Sequence, residues 1–293
     1  MATLASLKRN INTTESLSSI VGTMKAFASS NIMHFQQAAD ASGTYAEILS
    51  KSLSVIFAQD LQAGSASDEG SGLRIHVVFG SDFGLTGRFN ERIVDFALHE
   101  VPKGKNDLLI VIGQQVLVRL RRYRHIDQVF SVPQTEEGIT RTVQRILSRL
   151  DEMRTTRPLS SIELYYNKPI GKASMREVHE TLFPLEMEAF LETRQAWPGR
   201  CIPELLTDPV GTRRDLIQQF FFITLYRTFC DSLVTENASR LASMQSAERN
   251  IRDRLDDLSF RYRQERQSQI TDDINDIISG YKAISRSKEG DKP

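Results

Sequence analysis

The nearest approach to a chemical motif in this sequence is a glycine-rich loop. After the apolar run Arg74–Phe79 comes Gly80-Ser81-Asp82-Phe83-Gly84-Leu85-Thr86-Gly87-Arg88-Phe89-Asn90. Backbone amides of such a loop, leading from a strand into a helix, can cradle a phosphate. The spacing here is G-x-x-x-G-x-x-G rather than the dinucleotide-binding G-x-G-x-x-G, and the Gly-Lys-Ser/Thr of a P-loop is missing. A tight structural turn is the leading reading, with a ligand-binding loop as its alternative.

Other chemistry-bearing residues are dispersed. His34, His76, His99, His125 and His179 have no metal-ligand spacing, and Cys201 and Cys230 form no C-x-x-C pair. No serine stands in G-x-S-x-G, so no nucleophile is marked. Arg119, Arg121, Arg122 and Arg124 end an expected helix, where cations are favoured whether or not they grip nucleic acid. Asp272, Asp273 and Asp276 lack the glycine and alternating ligands of a calcium loop. These residues nominate no catalytic, cofactor-binding or metal-binding set.

The elements that must position such residues follow from composition and punctuation. The 293 residues are 40% apolar and 25% charged, which excludes wholesale disorder and leaves enough apolar material for a sizeable core. Thirty-seven basic residues balance thirty-seven acidic ones, so net charge steers the chain toward no polyanion. No apolar run approaches the roughly 20 residues of a membrane span, and the first residues lack the apolar core of a secretory signal. Two cysteines fit a reducing compartment. The expectation is a soluble protein on the cytoplasmic side.

Residues 1–63 contain no proline and only Gly22 and Gly43, and Thr212–Ser279 contains neither breaker. In the first segment, heptad positions 4, 11, 18, 25, 32, 39, 46 and 53 carry Leu, Ile, Ser, Lys, Ile, Ala, Ala and Leu. Positions 7, 14, 21, 28, 35, 42, 49 and 56 carry Leu, Thr, Val, Ala, Phe, Ser, Leu and Ile. Twelve of these sixteen are apolar, the pattern of a coiled-coil seam. A second stripe, Leu17, Ile20, Met24 and Phe27, is expected to broaden or redirect that seam.

In the last segment Leu241, Met244, Ile251, Leu255, Leu258 and Tyr262 alternate steps of three and four, with Glu248 as the exception. Ile270, Ile274, Ile277 and Tyr281 resume the stripe after a phase slip. Sixty-eight breaker-free residues would extend roughly 100 Å as a helix, wider than any compact globule of this length. Upstream, Leu216–Phe229 is apolar almost all round and should be buried on several sides.

The middle alternates strand-like runs (Arg74–Phe79, Asp107–Ile112, Ile162–Tyr166, with Gln128–Val132 as a further candidate) with helix-like stretches at Asn90–Glu100, Gln114–Arg122 and Glu136–Met153. That alternation predicts a largely parallel sheet. The expected architecture is a Rossmann-like α/β domain plus a long antiparallel α-helical coiled coil. Residues 1–63 form one rod helix, 73–206 the inserted α/β domain, and 212–285 the second rod helix, packed on the first.

Several ordered stretches resemble one family. Thr23-Met24-Lys25-Ala26-Phe27-Ala28-Ser29-Ser30 is similar to the "AMKMVAAS" of the γ subunit of F-type rotary ATP synthases, and Ser81–Asn90 to its "SDRGLCGGLN". Asn167-Lys168 and Phe183-Pro184-Leu185 match landmarks of its middle domain, and Glu236–Met244 resembles "SEQAARMVAM". Residues 266–280 fit its signature I-T-x-E-x-x-[DE]-x-x-x-G except that Asp273 replaces Glu. Tyr281 after Gly280, a methionine lost after Met24 and the divergent linker Ala63–Gly72 are departures of the kind an alternative or sodium-type bacterial branch would carry. The cysteine-bearing regulatory insert of chloroplast forms is not apparent.

The resemblance implies a non-catalytic central rotor shaft without cofactor. One copy would fill the axis of the hexamer of α and β subunits and join the membrane c-ring beside the ε subunit. Torque would pass between ring and hexamer, coupling ion transport to ATP synthesis or hydrolysis. It implies a peripheral protein on the cytoplasmic face of the bacterial inner membrane, with no nucleic-acid partner. By the same analogy Met24, Lys25, Arg240, Gln267, Thr271, Asp273 and Asp276 are candidate coupling contacts, though seam packing or a solvated helix face would equally explain each. A coiled-coil scaffold and a nucleotide-binding α/β protein are the alternatives from other classes.

Overall fold

Two long helices bracket a five-stranded sheet in the computed structural model, which describes residues 3–60, 72–102, 104, 106–123, 125–171, 174–185, 190 and 208–289. The linker 61–71, Arg124, Cys201 and the whole stretch 191–207 lie outside the described residues. The elements are α1 (Leu4–Asp60), β1 (Leu73–Phe79), α2 (Phe89–Glu100), β2 (Asp107–Ile112), α3 (Gln114–Leu120), β3 (Gln128–Phe130), α4 (Glu136–Thr156), β4 (Leu159–Ile170), β5 (Ser174–Phe183) and α5 (Pro209–Glu289). They divide into two units: Met1–Ala26 with Met244–Pro293, and Phe27–Ser243.

In the larger unit the strand order is β3-β2-β1-β4-β5. β1 runs parallel to β2, with Arg74 opposite Asp107 and Phe79 opposite Ile112, and parallel to β4 on its other side. β2 pairs parallel with β3, while β5 runs antiparallel to β4, with Ile170 opposite Ser174. The sequence pattern does not signal β5, because its residues are mostly half-buried or exposed and include four charged or histidine side chains. An antiparallel edge strand on a parallel sheet is a common variation.

Alternation along each strand sends side chains to two cores. Ile75, Val77, Phe79, Ile110, Ile112, Ile162, Leu164 and Tyr166 face a core shared with α1, α4 and α5, where Phe35, Ile146 and Phe229 are buried. Val78, Leu109, Val111 and Tyr165 face a second core under α2 and α3, closed by Ile93, Val94, Val116 and Leu120. Covered on both faces, β1 and β2 read as nearly unbroken apolar runs. Helix α4 starts where Thr135 Oγ1 accepts a hydrogen bond from Gly138 N at 3.1 Å, and it buries Ile139, Val143, Ile146, Leu150 and Met153.

Within this unit α1 and α5 run antiparallel. Asp40 lies in the field of Asp231, and further along α1 the Tyr45 hydroxyl donates to Gln219 Oε1 at 3.3 Å, earlier on α5. From Thr228 to Asn237 every residue of α5 is buried. All-round burial was expected for Leu216–Phe229; it falls further on and takes in Asp231, Thr235, Glu236 and Asn237. Leu216–Phe222, by contrast, is only partly buried or exposed.

The smaller unit pairs the start of α1 with the later part of α5. Leu7, Met244 and Leu258 are buried in it, and Lys25 Nζ donates to Glu248 Oε2 at 2.6 Å. Residues 266–280 of α5 are all exposed. Across both units, all sixteen heptad positions of α1 are buried or half-buried. The second stripe does not widen the seam: Leu17, Ile20, Met24 and Phe27 are 49%, 52%, 37% and 57% exposed. Two apolar stripes compete for a partner there, and the sixteen-position register holds the buried side.

Candidate functional site

The glycine-rich loop is held by its own hydrogen bonds. Asn90, the second residue of α2, accepts from Ser81 N through Oδ1 at 3.0 Å and donates through Nδ2 to Ser81 Oγ and Thr86 Oγ1. Ser81 Oγ in turn donates to the Phe83 carbonyl at 2.7 Å. The Asp82 carboxylate accepts from Gln114 N at 3.1 Å and Val132 N at 2.8 Å, tying the loop to the ends of β2 and β3. Gly80 lacks a side chain for a packing reason, since a Cβ there would sit 2.1 Å from Val116 Cγ2. Gly87 takes a left-handed φ of 54° beside Ser239 and Ser243, and Ser239 Oγ donates to the Thr86 carbonyl at 2.6 Å. The loop is thus a plug clipped onto α5, the structural-turn reading of its spacing.

A second polar cluster lies at the opposite, amino-terminal edge of the parallel strands. His76 is buried on β1, with Nδ1 3.1 Å from the Tyr165 hydroxyl and Nε2 3.1 Å from Asp107 Oδ1. Arg74 donates to both Asp107 oxygens, and Gly104 N donates to Oδ2 at 2.7 Å. Burial holds His76 below its ordinary pKa, outweighing the pull of Asp107. Burial alone would raise Asp107, but the hydrogen bonds from His76 and Arg74 hold it below the usual carboxylate range. A cavity of about 300 Å³ opens beside them, with Tyr123 and His125 at its lining. Ligands of open α/β sheets bind at the carboxyl ends of the strands, and every polar atom of this His–Asp pair already has a partner. The cluster is a buried structural network.

Among the described residues no group of three or more His, Cys, Asp or Glu side chains is placed to hold a metal ion. Cys230 is buried in the sheet core, and burial pushes its thiol up to about 12, far from a reactive thiolate. None of the described helices is long and apolar enough to cross a membrane.

The seven candidate contact residues do not converge on one pocket. In the smaller unit Met24 is exposed beside Lys25, which pairs with Glu248. Gln267, Thr271, Asp273 and Asp276 lie along the exposed stretch of α5, where Thr271 Oγ1 donates to the Gln267 carbonyl at 2.9 Å. Exposed Ile270, Ile274, Ile277 and Ile278 interleave with them. In the larger unit Arg240 donates to Glu236 Oε1 at 2.5 Å and to Asn237 Oδ1 at 3.1 Å. These residues are spread along two helices and are not gathered at one point.

Two features of this surface escaped the sequence reading. Phe83 and Leu85 stand 65% and 61% exposed on the loop clipped to α5, and nothing in their spacing distinguishes an outward apolar residue from a buried one. Glu236 is nearly sealed, its Oε2 buried without a hydrogen-bond partner, a position usually given to an apolar side chain. Its family-like motif was legible; its burial was not.

Comparison with known proteins places these features in a family. A family model described as ATP synthase matches residues 3–284. The ATP synthase gamma chain of Mycoplasmopsis agalactiae is 24% identical over 290 residues, covering 97% of this chain and 100% of the relative. That of Clostridium kluyveri is 26% identical over 294 residues, covering 97% and 99%. Among solved structures, the rotor of Euglena gracilis mitochondrial ATP synthase superposes with a TM-score of 0.61 at 16% identity, covering 91% of this chain and 98% of that one. The central stalk with c-ring of the Tetrahymena thermophila mitochondrial enzyme gives 0.57 at 16% identity, covering 78% and 99%. These two likenesses carry the fold, a mixed α/β sheet bracketed by a helical rod. With the match running almost end to end, the chain belongs to the ATP synthase gamma-chain family.

Proposed function

We propose that this chain is the central rotor shaft of an F-type ATP synthase. One copy occupies the axis of the hexamer of α and β subunits and joins the membrane c-ring beside the ε subunit. It transmits torque between ion flow and the nucleotide sites while catalysing nothing itself. It acts as a peripheral protein at the cytoplasmic face of the bacterial inner membrane.

The observation that carries this reading is the exposed end of α5. From Arg266 to Gly280 every side chain is exposed, and Ile270, Ile274, Ile277 and Ile278 are between 46% and 71% accessible. A helix with four isoleucines open to solvent is costly in isolation and suits an apolar sleeve. That the relatives are named gamma chains of ATP synthase supports reading the sleeve as part of such a complex. The shaft works by contacting different states of the hexamer unequally, because only a differential interaction can shift populations. Met24, Lys25, Arg240, Gln267, Thr271, Asp273 and Asp276 are the residues assigned to those contacts.

Co-purification tests the assignment. A tagged chain should bring down α and β subunits in a ratio of one chain to three of each. Recovery of the chain alone, or as a parallel dimer, would overturn the assignment.

A further inference from the structure

We propose that Glu236 is a proton-operated clasp at the seam between α5 and the loop Ser81–Asn90, sealing it when protonated and loosening it when ionised. The seam lies wholly within the larger unit. Ser239 and Gly87 hold the loop to α5 one turn beyond Glu236.

The charges facing Glu236 are Arg240, one turn on along α5, and Asp82 from the loop. Asp82 already takes two backbone N–H bonds, from Gln114 and Val132. The seam therefore holds one guanidinium for two carboxylates. Arg240 is itself shared, with one nitrogen on Glu236 Oε1 and the other on Asn237 Oδ1. Glu236 Oε2 is buried with no donor. An anion with one oxygen unsolvated and a like charge facing it is poorly accommodated, and a proton on that oxygen removes the excess charge. Burial, with Asp82 acting in the same direction against Arg240, pushes the Glu236 carboxyl up to about 7.

The sign follows from linkage. A carboxyl whose folded-state pKa is raised contributes stability that is present at low pH and lost as pH rises through the folded value. The seam is therefore tight in acid and opens more readily above neutrality. With the carboxyl near its ordinary 4.5 in the opened state, opening should become about tenfold more favourable between pH 6 and pH 8.

The inference does not depend on the rotor assignment, and its test uses the full chain alone. Hydrogen exchange followed by mass spectrometry at pH 6 and pH 8, corrected for the intrinsic pH dependence of exchange, reads opening of peptides spanning 81–90 and 232–243. Wild type should show the roughly tenfold rise in opening there, and Glu236→Gln should abolish the rise. Equal pH dependence in both proteins, or protection that increases with pH, would overturn the clasp. A carbon-13 carboxyl titration of the wild-type chain gives an independent reading should the variant fold poorly. A midpoint for Glu236 near neutrality supports the clasp, and one in the ordinary carboxylate range refutes it.

Discussion

Lys25 and Glu248, 223 residues apart in the chain, meet at 2.6 Å, and each is the one charged member of its heptad stripe. What reads as two separate lapses is one cross-helix pair. Both side chains are about one-third exposed, so water screens them and their worth lies in register more than in stability. Lys25 holds Glu248 below its ordinary pKa, so what the pair contributes is present above the unfolded carboxylate value and fades as acid protonates Glu248. Lys25→Glu should lower the melting temperature of the chain slightly by placing two carboxylates together, and Lys25→Glu with Glu248→Lys should restore it. Absence of rescue by the double swap, in thermal melts at low salt, would mean the two are not partners in solution.

The His76 network makes an opposing pH prediction for the sheet. His76 is held neutral by burial and Asp107 is held ionised, so both depressed values give stability that is lost as pH falls. Urea denaturation should show stability declining from about pH 6.5 downward. His76→Leu should cost about 1–3 kcal/mol at pH 7, by stranding the buried Tyr165 hydroxyl, and should flatten the upper part of that decline. An unchanged pH profile in this variant would remove His76 from the account.

Gly113 is the sharpest backbone test. Its φ is 102°, and a Cβ there would lie 2.7 Å from the Ser81 carbonyl oxygen. Gly113→Ala must strain the backbone and push away the loop that Asp82 and Ser81 organise. A loss of at least about 1–3 kcal/mol is expected from chemical denaturation. Gly22→Ala, in open space on α1, should instead be neutral or stabilising by up to about 1 kcal/mol.

Removing residues from Ile270 onward deletes side chains that are all exposed through Gly280. The truncated chain should melt as wild type does, yet assemble or couple less well in the complete synthase. Met24→Lys, which sets a second cation beside Lys25 on an exposed face, should lower ion pumping per ATP hydrolysed without lowering hydrolysis. Full coupling in both variants would take these residues out of the contact surface.

Much of this architecture is written in periodicity. Each of the sixteen positions of the α1 register is buried or half-buried, because a repeat sustained over eight heptads gives one face to bury. Strand β2 announces itself as an apolar run, and β1 as one interrupted only by Arg74 and His76, because both their faces are covered. Short-range pattern fails where burial is decided by distant chain. Leu17 and Ile20 are exposed although apolar, because the partner helix is already engaged by the other stripe. Asp231 and Glu236 are buried although charged, because the sheet and the loop Ser81–Asn90 close over α5 there. The seven residues proposed as contacts are legible only as family likeness, since a surface that meets another chain has no internal geometry to read.

Rotation is the measurement closest to the central claim. The chain is assembled with α and β subunits fixed to a surface, and a probe is attached to an exposed residue of its sheet unit such as Val118. On adding ATP the probe should turn in one direction in three equal steps per revolution. A stationary probe on a complex that still hydrolyses ATP would contradict the assignment of this chain as the shaft.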